Sequence, residues 1–95
     1  MVFLQKFRVI GHSMEPLIIA GQEILVSSLP YLFFKPKVGD IIAFSLAKKD
    51  LSNFIVKRIK EVAGDKFLVQ GDNKDDSKDF GWVEKKRIVG KVIYP

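Results

Sequence analysis

The sequence predicts an all-β domain, and three observations carry that expectation. Short apolar runs rich in Ile, Val and Phe recur along the chain with Gly or Pro between them, the punctuation of a sandwich or barrel. Gly64-Asp65 sits between two such runs and reads as a hairpin turn. The stretch from Ser52 to Val62 can be scored as helix, but its Phe, Ile and Val content and the turn behind it favour strand. A length of 95 residues bounds one domain, residues 1–95, and 47% hydrophobic residues suffice for a modest core. There is no internal repeat, low-complexity segment or linker.

In chain order, Phe7-Arg8-Val9-Ile10 is strand-like and runs into Gly11-His12-Ser13-Met14-Glu15-Pro16, where the Pro16 ring disfavours helix at Glu15 and ends any ladder. Leu17-Ile18-Ile19-Ala20 is a short apolar run stopped by Gly21, and Gln22 to Ser28 reads as a strand. Proline-bounded runs do not sit inside a sheet, so Leu29 to Pro36 is a loop holding Leu29, Tyr31, Leu32, Phe33 and Phe34 just before Lys35 and Lys37. Such a loop either enters a membrane interface, which favours aromatics with cationic flanks, or folds back as a lid on the core. Val38-Gly39-Asp40 is a turn, and Ile41 to Ser45 is a short strand buried on both faces. Lys48 to Asn53 is a polar hairpin connection. It leads into a strand that continues through Ala63, turns at Gly64-Asp65 and returns as Lys66 to Gln70. Gly81-Trp82-Val83 and Arg87 to Tyr94 are expected as a final strand pair, with a single helical turn over Val83 to Lys86.

Composition narrows the function classes. Without cysteine there is neither a disulfide framework nor a thiolate metal site. A net charge of +5 favours acidic surfaces, nucleic acid or anionic lipid. The basic residues are scattered, however, as in a solvated face, and no nucleic-acid partner is expected. No apolar run approaches the roughly 18 to 20 residues that span a bilayer. Met1 to Lys6 is too short for a signal peptide or anchor and runs directly into the first strand. The carboxylates of Gly71 to Asp79 invite a calcium reading. Counted from Asp75, however, the position that must be Gly is Phe80 and the closing acidic ligand is Lys86, so no metal is expected.

Two side chains could carry chemistry. Ser13 lies in a Gly/Pro turn at a strand end, a place for local hydrogen bonding or for a nucleophile elbow. A serine hydroxyl needs a base. His12, the one histidine, points away from Ser13 on extended backbone, which leaves a Ser-His-Asp triad needing an unusual turn. Lys57 shares its strand face with Ile55 and Ile59. It is either a surface lysine with its stem along those isoleucines or a desolvated amine. Bringing such an amine from about 10.4 to near neutrality costs on the order of 4 kcal/mol, which an apolar wall and a hydroxyl partner can sustain.

Gly11-His12-Ser13-Met14-Glu15-Pro16, Lys37 to Phe44, Lys57-Arg58-Ile59 and Gly71-Asp72-Asn73-Lys74-Asp75-Asp76-Ser77-Lys78-Asp79 arrive in an order that resembles the type I signal peptidases, the Ser/Lys serine endopeptidases. The likeness covers Phe7 to roughly Val92. It implies coiled antiparallel sheets with a small SH3-like barrel, Ser13 as nucleophile and Lys57 as general base. It further implies that Ser77 hydrogen-bonds the lysine amine, that Asp79 pairs with Arg58, and that no cofactor is needed. Relatives continue this last block as Asp-Ser-Arg, where this chain has Asp79-Phe80-Gly81. The implied substrate is a precursor protein or signal peptide, cleaved after small residues and held as an added strand beside Ile10 and Met14. The implied setting is the outer face of the cytoplasmic membrane, reached through Leu29, Tyr31, Leu32, Phe33 and Phe34 or a partner. The absence of an anchor helix in the sequence also fits a cytoplasmic protein. It fits equally a dedicated maturation peptidase resembling those that trim nickel superoxide dismutase precursors. A different class, the self-cleaving repressor C-terminal domains, shares the Ser-Met and Lys-Arg blocks but lacks the Gly-Asp-Asn block.

Overall fold

The computed structural model describes residues 4–45, 54–73 and 81–94. Its strands are β1 (Leu4–Arg8), β2 (Glu23–Ser27), β3 (Ile41–Ser45), β4 (Phe54–Ala63), β5 (Lys66–Gln70), β6 (Gly81–Glu84) and β7 (Ile88–Tyr94). A single helical turn, α1 (Pro30–Phe33), lies between β2 and β3, and a 3₁₀ turn, Lys85–Arg87, precedes β7. The class is all-β as the sequence indicates. The strands form one antiparallel sheet in the order β1-β2-β7-β3-β4-β5-β6, and among the described residues it does not close into a barrel. It does coil: Phe7 on β1 meets Phe54 on β4 edge to face at 4.7 Å, although three strands separate them in the sheet.

Alternation along each strand divides the core between the two faces. Ile42, Phe44, Ile59, Phe67, Val69 and Val83 fill one side. Met14, Ile18, Ile24, Val26 and Ala43 fill the other. β3 feeds both clusters, which accounts for its uninterrupted apolar sequence.

The expected pairing of the last two strands is corrected. β6 pairs with β5, while β7 runs between β2 and β3. Lys85 N-H donates to Asp65 O at 2.9 Å and ties the 3₁₀ turn to the β4–β5 hairpin, so the chain leaves that edge there. Val83 packs with Phe67 and Val69, whereas Val89 and Val92 pack on the opposite cluster. Close approach of β7 to β2 requires glycine at 90, because a Cβ there would lie 2.6 Å from Ser27 O.

Candidate active site

The loop carrying Ser13 is an excursion from the β1–β2 pair. Val9 N-H donates to Gln22 O at 2.9 Å and Gly21 N-H to Val9 O at 2.8 Å, closing its base. Gly11 turns the chain with φ +89°, a conformation that side chains resist. Met14 and Ile18 then sink into the core. Ile18 N-H bonds Met14 O at 2.9 Å, forming one turn between these apolar anchors. A polar brace spans the outside, where Glu15 Oε2 accepts from Ala20 N-H at 3.3 Å and lies 2.7 Å from His12 Nδ1. The His12 hydrogen bond, followed by the Ala20 N-H, holds the Glu15 carboxyl below the usual carboxylate range. His12 Nδ1 is thus committed to Glu15, in keeping with its reading as an exposed turn residue.

Asn73, just beyond β5, holds this loop from the other side of the molecule. Its backbone N-H donates to Ser13 O at 2.7 Å and its Nδ2 to His12 O at 2.8 Å, joining positions 61 residues apart in the second case. Asn73 is itself placed by its neighbour. Arg58 on β4 grips Asp72 with a two-pronged contact, Nε to Oδ1 and Nη2 to Oδ2, each 2.8 Å. Its Nη1 donates to Gly39 O at 2.9 Å. Such a planar fork fixes direction as well as distance. The hydrogen bonds from Arg58 hold the Asp72 carboxyl below its ordinary range, and Asp72 raises Arg58 in turn.

The same frame continues to the β2–β3 connection. Gly39 N-H donates to Ile59 O at 2.9 Å, and Ile59 N-H to Asp40 O at 2.8 Å. The buried Asp40 carboxylate accepts from Tyr31 Oη at 2.8 Å and Lys37 N-H at 3.2 Å, with Lys91 Nζ at 3.5 Å. Burial first, then the hydrogen bond to Asp40, pushes the Tyr31 hydroxyl above its usual range.

Lys57 is 7% exposed. Of the two readings open in the sequence, surface lysine and enclosed amine, the structure takes the second. Its register partner on β3 is Ile42, and its face is that of Ile55 and Ile59. The β4–β5 ladder pairs Arg58 with Gln70; one step further it sets Lys57 opposite Gly71, which is buried and two residues before Asn73. The loop of Ser13 and the strand of Lys57 therefore meet at the end of β5. Among the described residues, no hydrogen bond joins Ser13 Oγ to Lys57 Nζ.

The remaining sequence-derived positions divide. Ile10 is 95% exposed, next to the loop base, whereas the Met14 side chain is core, so only its main chain is open to a peptide. Ser77 and Asp79 lie outside the described residues. The carboxylate on Arg58 is that of Asp72, a partner that sequence reading assigned to Asp79. Asp72 and Asn73 stand in the same acidic block. Once Arg58 is set opposite Gln70, Asp72 becomes its diagonal neighbour, the signal that could have found it.

A signal peptidase, peptidase S26, family model matches residues 1–73, which hold Ser13, Lys57, Arg58, Asp72 and Asn73. Signal peptidase IB of Staphylococcus aureus strain Mu50 / ATCC 700699 is 41% identical over 70 residues, covering 68% of this chain and 36% of that protein. The proteins of the same name from strains N315 and MW2 match to the same extent. The chain thus spans about a third of the length of the curated relatives it matches. With most of its length matched, and with the serine loop, the lysine strand and the arginine clamp all inside the matched part, the chain belongs to the signal peptidase, peptidase S26, family.

Proposed function

We propose that this chain is a serine endopeptidase that removes signal peptides or propeptides from precursor proteins, with Ser13 as nucleophile and Lys57 as general base. Ser13 Oγ attacks the scissile carbonyl while Lys57, as neutral amine, takes the hydroxyl proton. The acyl-serine forms as the C–N bond breaks, and the ammonium returns that proton to the leaving amine. Water, deprotonated by the same amine, then hydrolyses the ester. Ser13 N-H lies where a tetrahedral oxyanion needs a donor. Gly11 adds no hydroxyl there, unlike relatives that carry one two residues before the nucleophile.

The observation that carries this reading is the enclosure of Lys57 on β4 next to the strand end from which Asn73 grips the Ser13 loop. An enclosed amine disfavours its charged form, and catalytic hydrogen bonds commonly tighten only once substrate is bound. Ser77 is assigned to hold the lysine amine, and Arg58 with Asp72 to fix the wall behind it. Asp79 is assigned the same supporting role on the Arg58 side. The substrate lies as an extended strand along Ile10 and the main chain of Met14, with small residues at the first and third places before the cut.

The test is incubation of the chain with a pre-protein in detergent. Ser13→Ala and Lys57→Met are each expected to lower cleavage at least about a thousandfold. Wild-type cleavage should rise with pH on the acid side as Lys57 gives up its proton. Equal cleavage by all three proteins would end the assignment.

A further inference from the structure

The tip of α1 is the largest apolar feature that the fold leaves uncovered. Leu32, Phe33 and Phe34 are 61%, 74% and 74% exposed, and Val38 and Leu29 beside them are also exposed. Tyr31, one residue away, turns inward instead and packs on the core with its hydroxyl on Asp40, so it does not belong to this surface. The lid reading of the loop therefore holds for Tyr31 alone.

The tip is ordered from below. Leu29 N-H bonds Ser27 Oγ at 3.2 Å, Phe34 N-H bonds Pro30 O at 2.9 Å, and Lys37 N-H bonds the Asp40 carboxylate. A surface already held in shape loses little freedom on binding. From Ser28 to Gly39 the sequence holds Lys35 and Lys37 and no acidic residue. Both lysines are exposed. The nearest carboxylate, Asp40, is buried and occupied.

We propose that the α1 tip docks on an anionic phospholipid surface, with Leu32, Phe33 and Phe34 entering the headgroup–acyl boundary and Lys35 and Lys37 meeting the lipid phosphates. Exposed aromatics beside cations suit that boundary, where apolar burial and attraction to anionic lipid add. A second copy of the chain fits less well. A few side chains at a convex turn fall short of the roughly 800 Å² per partner of a stable interface, and facing copies would oppose their lysines. Because the Asp40 turn also carries the Gly39 carbonyl held by Arg58, tip and Ser13 loop share one frame. Docking therefore sets the height of Ser13 above the bilayer.

The test is flotation of the chain with vesicles of phosphatidylcholine, with and without phosphatidylglycerol, and it does not depend on peptidase activity. Flotation is expected with the phosphatidylglycerol vesicles. Phe33→Asp combined with Phe34→Asp should lower the bound fraction at least about tenfold. Lys35→Gln and Lys37→Gln should each lower it by about fivefold, as should raising salt. The circular dichroism spectrum and urea midpoint of each variant should match wild type, since these side chains are in water. Unchanged flotation of the Phe33→Asp, Phe34→Asp protein overturns the proposal, as does failure of wild type to float. A wild-type dimer that the same variant abolishes, without vesicle binding, assigns the tip to a second copy and overturns it equally.

Discussion

Two excursions leave this sheet, and they treat their apolar residues in opposite ways. The β1–β2 loop drives Met14 and Ile18 fully into the core, and Asn73 ties down its backbone at His12 and Ser13. The β2–β3 connection is secured only at its foot, through Tyr31 and Lys37 on Asp40, and leaves Phe33 and Phe34 in water. Hydrophobicity alone does not separate them. Apolar side chains in the first loop answer to packing and fix a serine within a rigid body. Those in the second contribute nothing to the fold and are available to a partner.

The contrast is broken most directly by truncating one anchor in each loop. Met14→Ala should cost about 2–5 kcal/mol, whereas Phe33→Ala should stay within about 0.5 kcal/mol, both read from urea denaturation midpoints. Equal costs would mean that the two loops are not differently anchored.

Next in size is the clamp behind the Ser13 loop. Asp72→Asn should cost about 2 kcal/mol near neutral pH, the worth of hydrogen bonds to a charged group. The Asp72 carboxyl titrates below its ordinary value near 3.9 in the folded protein. As pH falls, the unfolded chain takes up the proton first, so the contribution is full above about pH 5 and fades through the acid range below about pH 4. Denaturation of both proteins across that range should show their difference narrowing with acid. A pH-independent gap would mean that the fork does not depend on charge.

The smallest change in stability sharpens the comparison furthest. Asn73→Ala removes the Nδ2 bond to His12 O but keeps the backbone bond to Ser13 O, at about 1 kcal/mol. If this residue positions the nucleophile, kcat should fall by about ten- to a hundredfold with little change in KM. A purely structural role would shift the urea midpoint and leave kcat alone.

Much of this arrangement is readable from residue order. Period-two alternation set Lys57 between Ile55 and Ile59, and β4 has that phase. Gly64-Asp65 marked the β4–β5 hairpin, and Ile41 to Ser45 marked a strand covered on both faces. What escaped was decided by distant parts of the chain. Nothing near Met14 says that it packs against Ile24 and Ala43, and nothing near Arg58 says that Asp72 reaches it first. The exposure of Phe33 and Phe34 was equally hidden, because local sequence does not report whether a neighbouring surface remains to cover an aromatic.

β7 pairs with β2 on one side and β3 on the other, yet follows both in sequence. During synthesis the hairpin bearing Ser13 and the strands bearing Lys57 are therefore both finished while the ribbon that must join them is still unmade. Assembly waits on these long-separated pairings, which slow folding. Until β7 is inserted, with Gly90 admitting it against Ser27, a nascent chain lacks the seam between its two halves, and any hydrolytic capacity it has must be acquired at that late step.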